Sequence, residues 1–290
     1  MVKPLVEIYC EGNKEIGYGH VRRSITLANR LEQDGLDVRM IGLSELAASM
    51  LLPVKRSSFD AHIAIFDSPN KIDRQLNEAK NRGQVTVALD YFGSSIPDIN
   101  IAVYPHKPVH AIRDRYVGFQ YILIRNDIVS KRRAHPHTNQ NKNVLVMLGG
   151  GDLLEQGHLV ANYLCSLGLY VTLVQGPLAK NIEKSKKYRV LVNPPNLVEL
   201  LDACDWAVTN GGGCLFEFLY LGKPTFALPQ TDAELRIAHF ALAKGALLGI
   251  GLDSIRIAQQ DELDSTANKG MALVDGRGAQ RVSEIIRGLF

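Results

Sequence analysis

The feature that most constrains this chain is a regular alternation of short apolar runs with longer amphipathic stretches. Strand–helix units wound around a parallel sheet produce that pattern, and helical bundles or all-β sandwiches do not. In the first half Val6 to Cys10, Val38 to Leu43, Ala61 to Phe66, Val85 to Leu89 and Ile99 to Val103 read as strands. Val21 to Gln33, Glu45 to Leu52 and Ile72 to Arg82 read as the helices between them. The segment Lys131 to Asn143 (KRRAHPHTNQNKN) has no apolar residue larger than alanine and contains a proline, the composition of a linker. The alternation then restarts, with strands at Val144 to Leu148, Tyr170 to Gln175, Val190 to Asn193, Trp206 to Thr209 and Pro224 to Leu228. The expected fold class is α/β: two Rossmann-like domains, residues 1–135 and 136–290, with a ligand cleft between their carboxyl edges. The amphipathic Gly278 to Leu289 is a candidate to pack back on the first domain.

Composition narrows the function classes. At 290 residues, 46% hydrophobic and 22% charged, the chain is enzyme-sized. It contains no apolar stretch of the ~20 residues that a bilayer span needs. No secretory signal is visible, and Cys10, Cys165, Cys204 and Cys214 form no CxxC pair, so a cytoplasmic protein with reduced thiols is expected. A net charge of +3 is too balanced to call for nucleic acid. His135 and His137 lie in the polar linker and make a poor metal site.

Three glycine-bearing loops follow strands. The first, Glu11 to His20, carries Gly17 and Gly19 and ends at a helix start, where free N–H groups and the dipole favour an anion. His20 sits at that helix mouth, either as a general base facing a ligand or as a helix-capping, sheet-packed histidine. The second is Thr209-Asn210-Gly211-Gly212-Gly213-Cys214, suited to a phosphate or simply a tight turn, with Glu217 placed to accept hydrogen bonds from a ribose diol. The third is Gly149-Gly150-Gly151-Asp152. Asp67 and Asp90 each follow a strand of the first half, where aspartate serves either chemistry or helix capping. Arg113, Arg115 and Arg125 add positive charge ahead of the linker. P-loop, HExxH and GxSxG motifs are all missing.

Taken in order, several segments resemble the UDP-sugar hydrolases of pseudaminic acid biosynthesis, the PseG family. The opening segment is Glu15-Ile16-Gly17-Tyr18-Gly19-His20-Val21 with Arg23 and Leu27-Ala28. It is followed by Leu123-Ile124-Arg125, Val146 to Asp152, Asn210-Gly211-Gly212 with Glu217, Leu221-Gly222-Lys223-Pro224, and Asp275 to Val282. The resemblance implies a fold like that of GT-B glycosyltransferases, with a UDP-linked sugar as substrate and no metal or cofactor. It implies that His20 activates water, and Asp67 is taken as the second catalytic candidate. It further implies that Gly17, Gly19, Arg23, Arg125, Gly149, Gly150, Asn210, Gly211, Gly212, Gly213, Glu217 and Glu234 bind the nucleotide or its sugar. The sequence departs from the family at Asp67-Ser68-Pro69, Asp90-Tyr91, Ala233-Glu234 and Glu11, positions expected on the sugar side. Three readings remain open: hydrolysis of a nucleotide-sugar, transfer of its sugar to a small or lipid acceptor, or binding of a nucleotide-sugar without turnover, against which the intact His20 argues. For a lipid acceptor, Ala47 to Arg56 is the candidate basic-apolar patch.

Overall fold

The computed structural model describes residues 3–13, 17–51, 61–70, 72–91, 93–103, 114–134, 142–179 and 184–290. Lys14 to Ile16, Pro53 to Arg56, Arg113, His135 and His137 therefore lie outside the described residues. The chain divides into two compact units, residues 1–125 with 276–290, and residues 126–275.

The first unit runs β1 (Leu5–Cys10), α1 (Gly19–Gln33), β2 (Asp37–Gly42), α2 (Glu45–Met50), β3 (Ile63–Asp67), α3 (Asp73–Asn81), β4 (Val85–Leu89), β5 (Ile99–Ala102) and β6 (Asp114–Val117). Its six strands are parallel, in the order β2-β1-β3-β4-β5-β6. Alternate residues face opposite sides of a strand, so both faces of this sheet carry apolar side chains. Val6, Ile8, Ile63 and Ile65 pack with Leu27 and Leu31 of α1, whereas Ala64 and Phe66 pack with Leu76 and Ala79 of α3.

The second unit runs α4 (Asn126–Val129), β7 (Asn143–Met147), α5 (Gly157–Ser166), β8 (Tyr170–Gln175), β9 (Arg189–Val192), α6 (Leu197–Ala203), β10 (Trp206–Thr209), α7 (Gly213–Tyr220), β11 (Thr225–Ala227), α8 (Asp232–Ala243), β12 (Gly249–Ile250) and α9 (Gln260–Leu273). Its parallel strand order is β12-β11-β10-β7-β8-β9. Val144, Val146, Leu173, Trp206, Val208 and Phe226 form its core with Val160 and Leu164 of α5. The final helix, α10 (Gly278–Arg287), belongs to the first unit, where Val282 and Ile286 join the α1 side of the core.

The second unit starts ahead of the boundary read at residue 135. Polar composition marked a linker, but part of that stretch is tied down by hydrogen bonds. Tyr220 donates its hydroxyl to the Val129 carbonyl at 3.1 Å, and its ring lies under the Arg132 guanidinium at 4.7 Å. Arg132 in turn donates to the carbonyls of Met271 and Val274, each at 2.8 Å. Arginine covers apolar surface with its stem while its planar head caps a helix end, so a basic segment can be packed chain. No helix among the described residues is long and apolar enough to cross a membrane.

Candidate active site

In an open parallel sheet, the crevice for a ligand lies at the carboxyl edge where successive strands turn in opposite directions. In the first unit that point falls between β1 and β3, because β2 lies on one side of β1 and β3 on the other. The loop after β1 leads into α1, and β3 ends in Asp67. Helix α1 begins at Gly19, two residues earlier than the apolar spacing indicated, so His20 lies within its first turn. Helical spacing then puts His20, Arg23 and Ser24 on one face. All three meet Asp67.

Asp67 is completely buried, and its carboxylate is saturated. Oδ1 lies 2.6 Å from His20 Nδ1 and accepts from Arg23 Nη2 at 2.5 Å. Oδ2 accepts from Arg23 Nε at 2.8 Å and from the Ser24 hydroxyl at 2.9 Å. Burial alone would raise the Asp67 pKa; Arg23 first, and then His20, overcome it and hold the carboxyl well below the usual carboxylate range. An ionised carboxylate only accepts hydrogen bonds, so the proton between the two groups belongs to His20 Nδ1. In the neutral form of the ring, Nε2 is then the nitrogen that carries the lone pair. An aspartate thus fixes the tautomer of this histidine, an arrangement suited to taking up a proton at Nε2. Cys10 lies beside Asp67 in the sheet, and burial, then Asp67 and Glu11, push its thiol up to about 12, which leaves it protonated and unreactive.

Arg23 is not left facing a ligand with its whole fork. Its Nη1 donates to Asp90 Oδ2 at 2.6 Å, in addition to the two bonds to Asp67. Asp90, just past β4, sits in the left-handed region at φ 50°, and its other oxygen accepts from the Val103 N–H at 2.8 Å. Aspartate is among the few residues that tolerate that conformation. Of the remaining first-unit candidates, Gly17 has φ 74° and returns its N–H to the Asn13 carbonyl, Gly19 is exposed at the head of α1, and Arg125 is half-buried at the end of the unit.

In the second unit the strand order reverses between β7 and β10. The loops after these strands are the two glycine segments, Gly149 to Asp152 and Asn210 to Gly213. They touch: a β-carbon on Gly149, which adopts φ 71°, would meet Asn210 Nδ2 at 2.9 Å. Gly150 packs under Gly176, and Asp152 turns away to cap α5 through the N–H groups of Gln156 and Gly157 at 2.9 and 2.7 Å. Glu234, in the first turn of α8, braces the other side. Its Oε1 accepts from Asn210 Nδ2, and its Oε2 accepts from the Gln230 N–H at 2.8 Å. Burial raises the Glu234 pKa, against the opposing pull of its bonds from Gln230, Asn210 and the Gly211 N–H. A β-carbon on Gly211 would lie 2.4 Å from the Glu234 carbonyl, so only glycine fits there. Gly212 and the exposed Gly213 open α7, and Glu217 is half-buried one turn further on.

Sequence reading had not singled out Ser24 or Gln230. Ser24 stands at helical spacing from His20, which was a usable signal. Gln230 donates to the Leu148 carbonyl at 3.0 Å and accepts from the Leu153 N–H, joining the loops after β7 and β11. Its only sequence mark is its place just before Thr231, which caps α8. No group of three or more His, Cys, Asp or Glu side chains that could hold a metal ion is present among the described residues.

No family profile matches the chain. It is similar to the spore coat polysaccharide biosynthesis protein SpsG of Bacillus subtilis, with 24% identity spanning 91% of this chain and 80% of that protein. It is also similar to a two-activity protein of Helicobacter pylori, pseudaminic acid cytidylyltransferase and UDP-2,4-diacetamido-2,4,6-trideoxy-β-L-altropyranose hydrolase. That identity is 22%, over 79% of this chain but only 45% of the longer protein. Among solved structures, the glycotransferase of kitacinnamycin superposes with a TM-score of 0.68 over the whole of both chains at 15% identity. Two parallel six-stranded sheets in two α/β units, with this likeness, give the chain the fold of the GT-B glycosyltransferases.

Proposed function

We propose that the chain is a cytoplasmic nucleotide-sugar hydrolase that releases UDP and a free amino- or deoxysugar for a surface glycan or nonulosonic acid. The observation that carries this reading is the contact between His20 Nδ1 and the buried Asp67, which leaves Nε2 as a proton acceptor at the first unit's switch point. In the proposed reaction a water oxygen attacks the anomeric carbon while Nε2 takes one of its protons. The bond from that carbon to the diphosphate oxygen breaks, and UDP carries away the electron pair. The N–H groups of Gly212 and Gly213, with the positive end of α7, balance the diphosphate charge, and Glu217 accepts from the ribose hydroxyls. The Gly211 N–H takes no part in this, since Glu234 already holds it. The hydrolase activity in the name of the Helicobacter pylori relative supports the reading.

The likeness to a glycosyltransferase structure favours a second reading, in which an acceptor hydroxyl takes the place of water. One experiment separates the two. A panel of UDP-, GDP-, CMP- and dTDP-sugars is incubated with the protein without acceptor, and free nucleotide is measured. Release from a UDP-sugar, lowered by about 10² to 10⁴ in His20→Ala with UDP affinity retained, is the expected result. Release that starts only when an acceptor is added would replace hydrolysis with transfer.

A further inference from the structure

The geometry points to Arg23 and Asp90 as a positioning clamp, which fixes the tautomer of His20 and sets its proton affinity without touching substrate. It rests on the reading of His20 as the base and adds what controls that base. The argument begins with the donors of Arg23. A guanidinium presents five N–H donors in a rigid fork. Here Nε and Nη2 close a two-point bond on Asp67, while Nη1 reaches across to Asp90; Nη2 also lies 3.2 Å from His20 Nδ1, a longer contact than the 2.6 Å from that nitrogen to Asp67. An arginine committed in this way to two carboxylates has its charge balanced inside the protein. What it does is hold Asp67 in one orientation, with Oδ1 facing His20.

The same contacts fix the charge balance around the imidazole. The charged and titratable groups gathered there are Arg23 on α1, Asp67 at the end of β3, Asp90 past β4, and Cys10 and Glu11 at the end of β1. With His20 neutral, Arg23, Asp67 and Asp90 sum to one negative charge, the two aspartates outnumbering the arginine. An unclamped aspartate beside a histidine strongly favours the imidazolium. Arg23 offsets that attraction, and Asp90 restores part of it. Burial would lower the Arg23 pKa, but Asp67 and Asp90 hold it above the ordinary arginine value, so the clamp keeps its charge at every working pH. Asp90 also occupies a left-handed backbone conformation, and its second oxygen is tied to the Val103 N–H. Backbone strain of this kind persists only where surrounding contacts enforce it.

Opposite charge changes should therefore move His20 in opposite directions. Asp90→Asn removes a negative charge, and asparagine accepts the left-handed backbone. Arg23→Gln removes the positive charge, whereas Arg23→Lys keeps it and loses the fork. The measurement is the ring-nitrogen NMR spectrum of His20 in the unliganded full chain, recorded against pH. The proton is expected on Nδ1 in the parent. The midpoint is expected to fall by about half a pH unit or more in Asp90→Asn and to rise by a similar amount in Arg23→Gln. Arg23→Lys is expected to hold the midpoint and lose turnover at least about tenfold with KM retained. A parent spectrum with the proton on Nε2 would overturn the proposal. So would unchanged midpoints in folded Asp90→Asn and Arg23→Gln proteins, as judged by circular dichroism. If Arg23→Gln does not fold, Asp90→Asn decides alone. Loss of the hydrolase reading would appear as a parent without acceptor-free turnover, and the NMR result would stand apart from it.

Discussion

Asp67 shows how much can rest on one side chain. Removed from water, its carboxylate stays ionised because Arg23, His20 and Ser24 surround it. Its folded pKa lies below the unfolded value of about 3.9, so the unfolded chain binds the extra proton when the pH drops. The stability it contributes is fully present above about pH 5 and is lost as the pH falls through the folded pKa. Asp67→Asn should remove that dependence and leave Arg23 short of a partner. At neutral pH the loss should be about 3 to 5 kcal/mol, the scale for breaking a buried ion pair. Urea unfolding of the two proteins at pH 7 and pH 3.5 reads both effects, and the gap between them should narrow at the lower pH. A constant gap would mean that the Asp67 carboxyl titrates alike in the folded and unfolded chains, and a gap that widened at the lower pH would mean that it is protonated in the folded protein.

At the scale of elements, the loop after β10 makes a sharper test than its three glycines suggest. Gly211→Ala and Gly213→Ala are the same chemical change two residues apart. The first drives a methyl group into the Glu234 carbonyl, while the second points into open space at the head of α7. Gly211→Ala should cost about 1 to 3 kcal/mol in chemical unfolding, the range for overpacking, and Gly213→Ala should be neutral or slightly stabilising. Equal effects would show that α8 does not brace this loop. The strand–helix alternation was legible because parallel strands buried on both faces are largely apolar throughout, as in Ile63 to Phe66 and Val144 to Leu148. The loops could be read as well, since glycines after a strand mark a close approach of backbone. Helix α9 could not. Its buried residues include Leu263 and Met271, but Thr266, Ala267 and Gly270 complete that face, where Gly270 lies against Leu219. Small residues that let helices approach closely leave almost no hydrophobic period to detect. Two-residue β12 and four-residue β6 are likewise too short for a pattern. The brace from Glu234 to Asn210 was hidden for another reason: it joins residues 24 positions apart, and only the fold brings them together.

At the scale of the whole molecule, the chain leaves its first unit at residue 125 and returns to it at 276. The unit that carries His20 is therefore completed by the last segment of the sequence. Helix α10 packs Val282 and Ile286 against the α1 side of the sheet, and the Ser283 hydroxyl donates to Asp34 at the end of α1 at 2.6 Å. Ile286 is fully buried, so Ile286→Ala removes apolar contacts and leaves a cavity, at a cost of about 2 to 5 kcal/mol. The loss should fall on the elements that share its core, which are β1, β3, β4, β5 and α1. Amide hydrogen exchange should show faster opening of β1 and α1 in the variant. Trp206, the single tryptophan and a core residue of the second unit, provides a separate fluorescence signal for the order of that unit. Unchanged protection across β1 and α1 would mean that α10 is not part of the first unit's core. Faster opening would instead make the position of His20 depend on residues more than 250 positions along the chain, a dependence that α1 carries from its last turn, beside α10, to its first.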